Sequence, residues 1–354
     1  MPKTVSSSKT GSRNFAVVGA GMAGIVCART LAQAGHRLTV FDKTGQVGGR
    51  MATVDSTFGG FDSGAQYFTV RDPRFARALE TVPGLCKPWS ANTVRVLDEL
   101  GRVAAAGLPA REPHWVPTAG MQSLVGAWAT PLQEVGRIEL QTRVTHIEAD
   151  ALDAKRWQLR TLGPGDEQHV APGFDAVLLA VPAPQARDLL LASGQGAVFP
   201  ALDAVQTAPC WTLMLAFPQA MQANISSLGP QWNAARSTHH RVAWLARESS
   251  KPGRGAVERW TVQASALWSQ EHLQDDDARV EAKLLKAFSE ITGIRAKPAY
   301  AQTRRWLYAQ TTQPLGKSHL WQAKSGIGVC GDWCIGHRVE DAFVSGLELA
   351  LAVL

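Results

Sequence analysis

Short apolar runs closed by glycine or proline alternate along this chain with longer stretches of helical period. Residues 14–18 (NFAVV) run into glycines, the pattern of a strand covered on both faces in a parallel sheet. Residues 22–34 are helical in composition, with Ile25, Leu31 and Ala32 available to pack on that sheet. Gly35 stops this helix, because glycine accepts the left-handed position after a C-cap. Residues 37–41 (RLTVF) supply a second strand and complete a β-α-β unit of about 30 residues. Farther along, 121–133 reads as a helix, while 142–148 and 156–161 alternate like strands. Residues 174–181 (FDAVLLAV) read as another buried strand, ended by Pro182 and Pro184. Residues 211–217 and 257–264 predict strands of a separate sheet. The stretch 276–291 is amphipathic, with Val280, Leu284, Leu285 and Phe288 on one face. A last strand is expected at 326–330 (GIGVC) and a last helix at 339–354, with turn chemistry near 164–165, 228–229 and 251–255.

Composition narrows this picture without redirecting it. With 45% hydrophobic and 19% charged residues, the chain is ordinary for a soluble globular protein with one or two cores. Residues 1–12 are polar and read as a disordered tail rather than a signal peptide. No stretch offers the roughly 18 apolar residues of a membrane span, so no membrane partner and a cytoplasmic location are expected. The cysteines (Cys27, Cys86, Cys210, Cys330, Cys334) are odd in number, and free thiols are expected. Cys330 and Cys334 lack a second pair to complete a metal site, so none is expected. The net charge of +6 is spread along the chain with no basic stripe, which argues against nucleic acid and allows affinity for a phosphorylated ligand.

Four motifs carry chemistry. In Gly19-Ala-Gly21-Met-Ala-Gly24, Gly19 permits the turn after the strand and Gly21 lets a pyrophosphate approach the backbone. Gly24 lets the helix lie close to the sheet, and the helix N-terminus offers N–H groups to phosphate. Alone this loop fits NAD as well as FAD. Asp42 ends the second strand, where a carboxylate accepts hydrogen bonds from an adenosine ribose and disfavours a 2′-phosphate. Gly48-Gly49-Arg50 follows: glycines can cross under a pyrophosphate and arginine can neutralise it. Gly331-Asp332 follows the last strand, where Asp332 can bind a ribityl or phosphate-proximal hydroxyl. The helix starting at Val339 would aim its N-terminus at a flavin, stabilising reduced-flavin charge. Asp332 serves equally well as a helix cap. Together the motifs turn a generic dinucleotide loop into a non-covalent FAD cradle built from both chain ends.

GAGMAG, DKTGQVGGR, PTAGMQSLVGAWA, FDAVLLAVPAPQA and the C-terminal GDW…SGLELA together resemble the FAD-dependent amine oxidase superfamily over most of the chain. The longer strings FDSGAQYF (61–68), WLARESSKPG (244–253), RWLYA (305–309) and VCGDW (329–333) resemble the bacterial renalases. This resemblance implies an α/β fold, with a Rossmann-type FAD-binding domain and an inserted α+β substrate domain, p-hydroxybenzoate-hydroxylase-like. The corresponding division is 13–70, 135–185 and 318–354 for FAD, and 71–134 and 186–317 for substrate. It implies an oxidase of dihydronicotinamide isomers (2- and 6-dihydro-NAD(P)), with hydride passing to flavin and dioxygen becoming hydrogen peroxide, in metabolite repair. By position it implies FAD contacts at Gly19, Ala23, Asp42, Lys43, Arg50, Val144 and Asp332, beside the motif glycines Gly21, Gly24, Gly49 and Gly331. It sets Gln66, Tyr67 and Phe68 by the isoalloxazine ring, and Arg305, Trp306 and Tyr308 on the substrate side. Of these, Gln66, Trp306 and Tyr308 are the expected catalytic contacts. CIGHRVEDAF departs from the pattern, with His337 and Asp341 where smaller residues are expected.

Hydride transfer to a flavin needs no protein nucleophile, so the lack of a Ser-His-Asp or paired-carboxylate signature excludes nothing. A planar dihydronicotinamide suits an aromatic, weakly charged pocket, and the 12 tryptophans mostly serve packing. Arg71 and Arg305 are candidates for a substrate phosphate, and His337 is the histidine expected near the flavin-facing helix. Two alternatives stay open: a flavin amine oxidase acting on a small amine, or a non-catalytic flavoprotein. Many amine oxidases carry a lysine near the flavin; before RWLYA only Lys283, Lys286 and Lys297 are on offer, none in a recognisable context.

Overall fold

The computed structural model describes residues 11–89, 94–105, 112–221, 229–230 and 232–354. Most of the tail at 1–12, and half of the turn at 228–229, lie outside the described residues. The elements that position the site begin with β1 (Asn14–Val18), α1 (Met22–Gln33) and β2 (Arg37–Phe41). Next come α2 (Pro73–Glu80), α3 (Gln122–Glu134), β3 (Ala176–Leu179) and α4 (Ala183–Ala192). They are followed by β4 (Gln206–Phe217), β5 (Val242–Arg247), β6 (Glu258–Ala264), α5 (Ala266–Glu271) and α6 (Asp277–Thr292). The chain closes with β7 (Tyr300–Gln313), β8 (Ile327–Val329) and α7 (Val339–Val353).

A six-stranded sheet runs in the order Leu320–Gln322, β8, β3, β1, β2, Ile138–Glu139, parallel except at Leu320–Gln322. The central strands β8, β3 and β1 are mostly apolar because both faces are covered. Phe15, Val17, Leu38, Val40 and Leu178 share a core with α1, α3 and α7. Ala16, Val18, Phe41, Val177 and Leu179 alternate onto the other face, against α4 and an antiparallel sheet of Arg143–Ala149, Trp157–Leu162 and Gln168–Phe174. Helix α3, which the sequence division set with 71–134, packs on α1.

Where α7 crosses α1 the backbones touch: a Cβ on Gly346 would lie 2.2 Å from the Ala23 carbonyl oxygen. Gly346→Ala is therefore expected to cost about 1–3 kcal/mol or more through overpacking, read as a lower midpoint in denaturant unfolding. An unchanged midpoint would mean that the two helices part without loss.

The second large sheet has seven strands, in the order β7, β4, β6, β5, Ala234–Ser237, Arg95–Leu97, Val103–Ala105. One face carries Leu213, Leu215, Leu245, Trp260 and Val262 against Val280, Leu284 and Phe288 of α6. Helix α6 is held at its ends by Asp276, which accepts the Arg279 N–H, and by Gly293 at φ +74°. The opposite face covers the loop 59–66, and the site forms there.

Two readings are corrected. The expected strand 174–181 is two elements: Phe174 ends an antiparallel strand, and only Ala176–Leu179 joins the parallel sheet. Asp175 makes the junction, its carboxylate accepting the Asn14 N–H at 2.6 Å. The strand at 211–217 begins earlier, at Gln206, and RWLYA lies inside the 14-residue β7 paired along it. Helix α2, not foreseen, starts at Pro73 with Asp72 as N-cap, a proline-after-acceptor start that the sequence does carry.

Candidate active site

The glycine loop does three separate steric jobs. Gly19 sits at φ +109°, and a Cβ there would come within 2.5 Å of the Ala180 carbonyl oxygen. A Cβ on Gly24 would fall 1.9 Å from the Gly19 carbonyl oxygen, so the helix could not lie against the strand. Gly21, in contrast, faces open space: its nearest neighbour is the Gly49 Cα at 3.9 Å. The Gly48 N–H donates to the Ala20 carbonyl (2.9 Å), which draws the 48–49 backbone across the entrance to α1. Helix α1 has no side-chain cap and no acid in its first turn. Uncapped N–H groups beside a space that a Cβ would fill suit a pyrophosphate.

Asp42 stands beside this loop, and part of its capacity is used by protein. One oxygen accepts the Ala20 N–H (2.7 Å); the other accepts the Thr44 N–H (2.8 Å) and hydroxyl (2.7 Å). Of the roughly four acceptor positions of a carboxylate about one remains for a ribose hydroxyl. Lys43 is exposed next to it, Ala23 is buried under α7, and Val144 is half-buried on the strand Arg143–Ala149.

Arg50 and Asp332, expected to act separately on the cofactor, are paired with each other. The guanidinium forks onto both carboxylate oxygens, with Nη1 to Oδ2 at 3.0 Å, and Nη1 also reaches the Tyr308 carbonyl at 3.4 Å. This clasp ties the start of the chain to its end. Gly331 is required by packing, since a Cβ would meet the Trp333 indole at 2.3 Å, and its N–H donates to the Ser345 hydroxyl. Helix α7 does not follow Asp332 directly; Val339 opens it after a short 3-10 turn. Its N-terminus carries its own acids: Asp341 accepts the Arg338 N–H, and the buried Glu340 accepts the Arg71 and Asp72 N–H groups. His337 is exposed just before the helix. The Arg71 side chain is exposed and paired with Glu112 at 2.6 Å.

The loop after the cradle brings the remaining candidates together, with changes of role. Gln66 is buried, and both amide donors are spent inside the loop, on the Asp62 and Gly64 carbonyls; its Oε1 accepts from Lys251 Nζ at 3.2 Å. It therefore fastens the loop rather than presenting an amide to a ligand. Phe68 is buried against Phe75, its backbone paired with Trp115. Tyr67 is half-buried and stacks on His114 with centroids 3.9 Å apart. Burial holds the His114 imidazole below its ordinary pKa, and the nearby Arg236 adds to this.

Arg305 and Trp306, expected side by side, point to opposite faces of the sheet. Trp306 donates to the Ser63 carbonyl at 2.8 Å, on the loop side. Arg305 lies over the Trp211 ring and donates to the Leu273 carbonyl (2.8 Å) on the α5 side. Strand alternation gives the loop-side place to Arg304. Its guanidinium sits 4.3 Å above the Trp306 ring and reaches the Ser63 hydroxyl at 3.3 Å. Among the described residues it has no carboxylate within ion-pair distance, and desolvation lowers its pKa. The doublet Arg304-Arg305 followed by an aromatic in a strand carries the signal for this: only one of the two arginines can share the tryptophan's face.

A buried charge cluster was not foreseen. Asp62 accepts from Lys251 (2.9 Å) and Arg254 (2.7 Å), and Glu248 accepts from Lys251 (3.0 Å) and the Thr261 hydroxyl (2.8 Å). The Asp62, Glu248 and Lys251 side chains are wholly inaccessible. Burial pushes the Asp62 carboxyl up, but Lys251 and Arg254 together outweigh it and hold it below the ordinary range. For Glu248 burial prevails and the carboxyl is raised, with Lys251 only partly offsetting it. The strings FDSGAQYF and WLARESSKPG contain three of the four residues, but beside serines and Arg247 nothing local marks them as buried. Lys283, in contrast, pairs with Asp275, and Lys286 and Lys297 are exposed. The cysteines are free, and burial pushes the Cys334 thiol up to about 12. Among the described residues no helix is long and apolar enough to cross a membrane.

A family model described as flavin containing amine oxidoreductase matches residues 107–354, well over half of the chain, and one for an NAD(P)-binding Rossmann-like domain matches 17–82. Among curated proteins, a 4,4′-diapophytoene desaturase of Staphylococcus haemolyticus is 46% identical over 58 residues, 16% of this chain and 12% of that protein. The chain thus spans about an eighth of the length of that relative. A putative protoporphyrinogen oxidase from Exiguobacterium superposes with a TM-score of 0.75 at 14% identity, over 97% of this chain and 99% of that one. Cyclohexylamine oxidase from Brevibacterium oxydans gives 0.71 at 11% identity, over 97% and 98%. At such identities the likeness is one of fold.

Proposed function

The chain belongs to the flavin-containing amine oxidoreductase family, and from that premise we propose that it is an FAD-dependent oxidase of dihydronicotinamide isomers, the 2- and 6-dihydro forms of NAD(P), working in metabolite repair. The observation that carries this reading is Arg304 over Trp306, a half-buried cation with no carboxylate partner among the described residues, on the face that covers the loop 62–66. A small ammonium substrate wants a carboxylate or a bare aromatic face. Here the nearby carboxylates, Asp62 and Glu248, are engaged by Lys251 and Arg254, and Arg304 already occupies one face of Trp306. A dinucleotide brings phosphate for the guanidinium and a flat, uncharged ring for Trp306 and Tyr67.

The residues fit FAD in the way the cradle suggests: Gly21, Gly49 and the start of α1 for the pyrophosphate, and Asp42 for the adenosine ribose. Gly331 and the Arg50–Asp332 clasp would hold the flavin end. When bound, the flavin supplies a two-electron acceptor that dioxygen reoxidises, so one hydride from the substrate and one proton leave as hydrogen peroxide. The chain orients the ring between aromatic side chains, excludes water and anchors the phosphate; no residue needs to act as nucleophile or base.

Adding 6-dihydro-NAD to the flavin-loaded protein without oxygen is expected to bleach the flavin absorbance, and air should restore it with one peroxide per substrate. If neither isomer bleaches the band, or if any of a panel of small amines is oxidised faster, this assignment fails.

A further inference from the structure

The buried charges behind Gln66 cost several kcal/mol each to desolvate, and apolar residues of similar volume would fill the space as well. Their position suggests what they gain. Lys251 is bonded to Gln66, whose donors hold the carbonyls of Asp62 and Gly64. The Gly64 carbonyl also accepts from Gln263 (2.7 Å), and the Ala65 N–H donates to the Arg50 carbonyl (2.9 Å). The loop 62–66 therefore joins the cluster at one end to the Arg50–Asp332 clasp at the other. Arg259 adds a further buried cation: it is 0% exposed and donates to the Gly60 and Arg254 carbonyls. From the packed elements, Lys251, Arg254 and Arg259 thus face Asp62 and Glu248, and three cations against two carboxylates leave a surplus positive charge.

We propose that this cluster tunes the redox potential of the bound flavin, its surplus positive charge favouring the reduced, anionic cofactor, with Lys251 and Gln66 as positioning residues. The inference rests on the flavin-binding reading above but not on the identity of the substrate. Glu248→Gln removes one negative charge and keeps the acceptor that serves Lys251 and Thr261. The new amide takes the place of Oε2, which has no hydrogen-bond partner among the described residues and meets only the Arg254 guanidinium, 3.7 Å away. Glu248→Gln/Lys251→Gln removes one charge of each sign and restores the original balance.

The measurement is the midpoint potential of the flavin-loaded full chain, by equilibration with a reference dye and a chemical reductant, from about pH 6 to 9, a range that spans neutrality. At the alkaline end Glu248→Gln is expected to raise the reduced-to-oxidised ratio at fixed potential about tenfold, equivalent to ~30 mV for a two-electron couple. The double variant is expected to return to within about twofold of the parent, a loss of charge effect that structural damage would not produce. Coincident curves for Glu248→Gln and the parent over the whole range overturn the proposal, as do equal shifts in the single and double variants. Protein that loses all flavin on desalting overturns it together with the cofactor reading. Failure of dihydronicotinamides to bleach the band, with the potentials shifting as expected, rejects only the substrate.

Discussion

Lys251→Met is expected to lower folding stability by about 3–5 kcal/mol, the usual consequence of removing one partner from a buried ion pair. Lys251 Nζ lies within 3.2 Å of oxygens on Asp62, Glu248 and Gln66, and 5.4 Å from the Trp89 ring centre. Methionine fills much of the same volume, so the loss would come from charge and hydrogen bonding rather than from a cavity. Two carboxylates would be left with Arg254 and no ammonium between them. Adding Glu248→Gln to the variant should recover part of the loss, because one uncompensated charge disappears. Denaturant midpoints at constant slope provide the comparison. A Lys251→Met protein as stable as its parent would show that water or a rearranged arginine takes over the site.

The same cluster fixes the sign of a pH effect. Asp62 lies below its ordinary range, so its contribution is present above the unfolded value and is lost as pH falls through the folded one. Glu248 lies above its ordinary range, so its contribution is present at low pH and is lost as pH rises through the folded value. Glu248→Gln should therefore flatten the alkaline side of the stability profile while keeping the acid limb. A profile parallel to that of the parent on both sides would contradict this assignment.

Arg304→Met is expected to reduce kcat/KM for a dihydronicotinamide dinucleotide by roughly 10- to 100-fold, the range for losing a charged hydrogen bond of about 1.5–3 kcal/mol. Most of the change should appear in KM, since the phosphate contact is the same before and after hydride transfer. The corresponding dihydronicotinamide riboside, which lacks phosphate, should be affected far less. Arg305→Met makes the control, because Arg305 points to the α5 side and is engaged by the Leu273 carbonyl and Trp211. Equal losses in both variants, or none in Arg304→Met, would remove Arg304 from the site.

The amino-acid sequence by itself determined the nucleotide-binding half. Gly19, Gly21 and Gly24 with the flanking apolar runs define a strand, a tight turn and a helix through local sterics, and those rules act over a few residues. The helices at 122–134, 277–292 and 339–353 were legible for the same reason, because apolar period is local. What the sequence could not reveal was partnership across long separations. Arg50 meets Asp332, 282 positions away, and Lys251 meets Asp62 across 189, so Arg50 and Asp332 read alone looked like ligand contacts and nothing marked Lys251 or Asp62. The face of β7 was decided only by its pairing along β4, which turned Arg304 rather than Arg305 toward the loop. Local sterics select the elements, whereas burial and charge pairing act between elements, and only the packed sheets bring those groups within a few ångströms of each other.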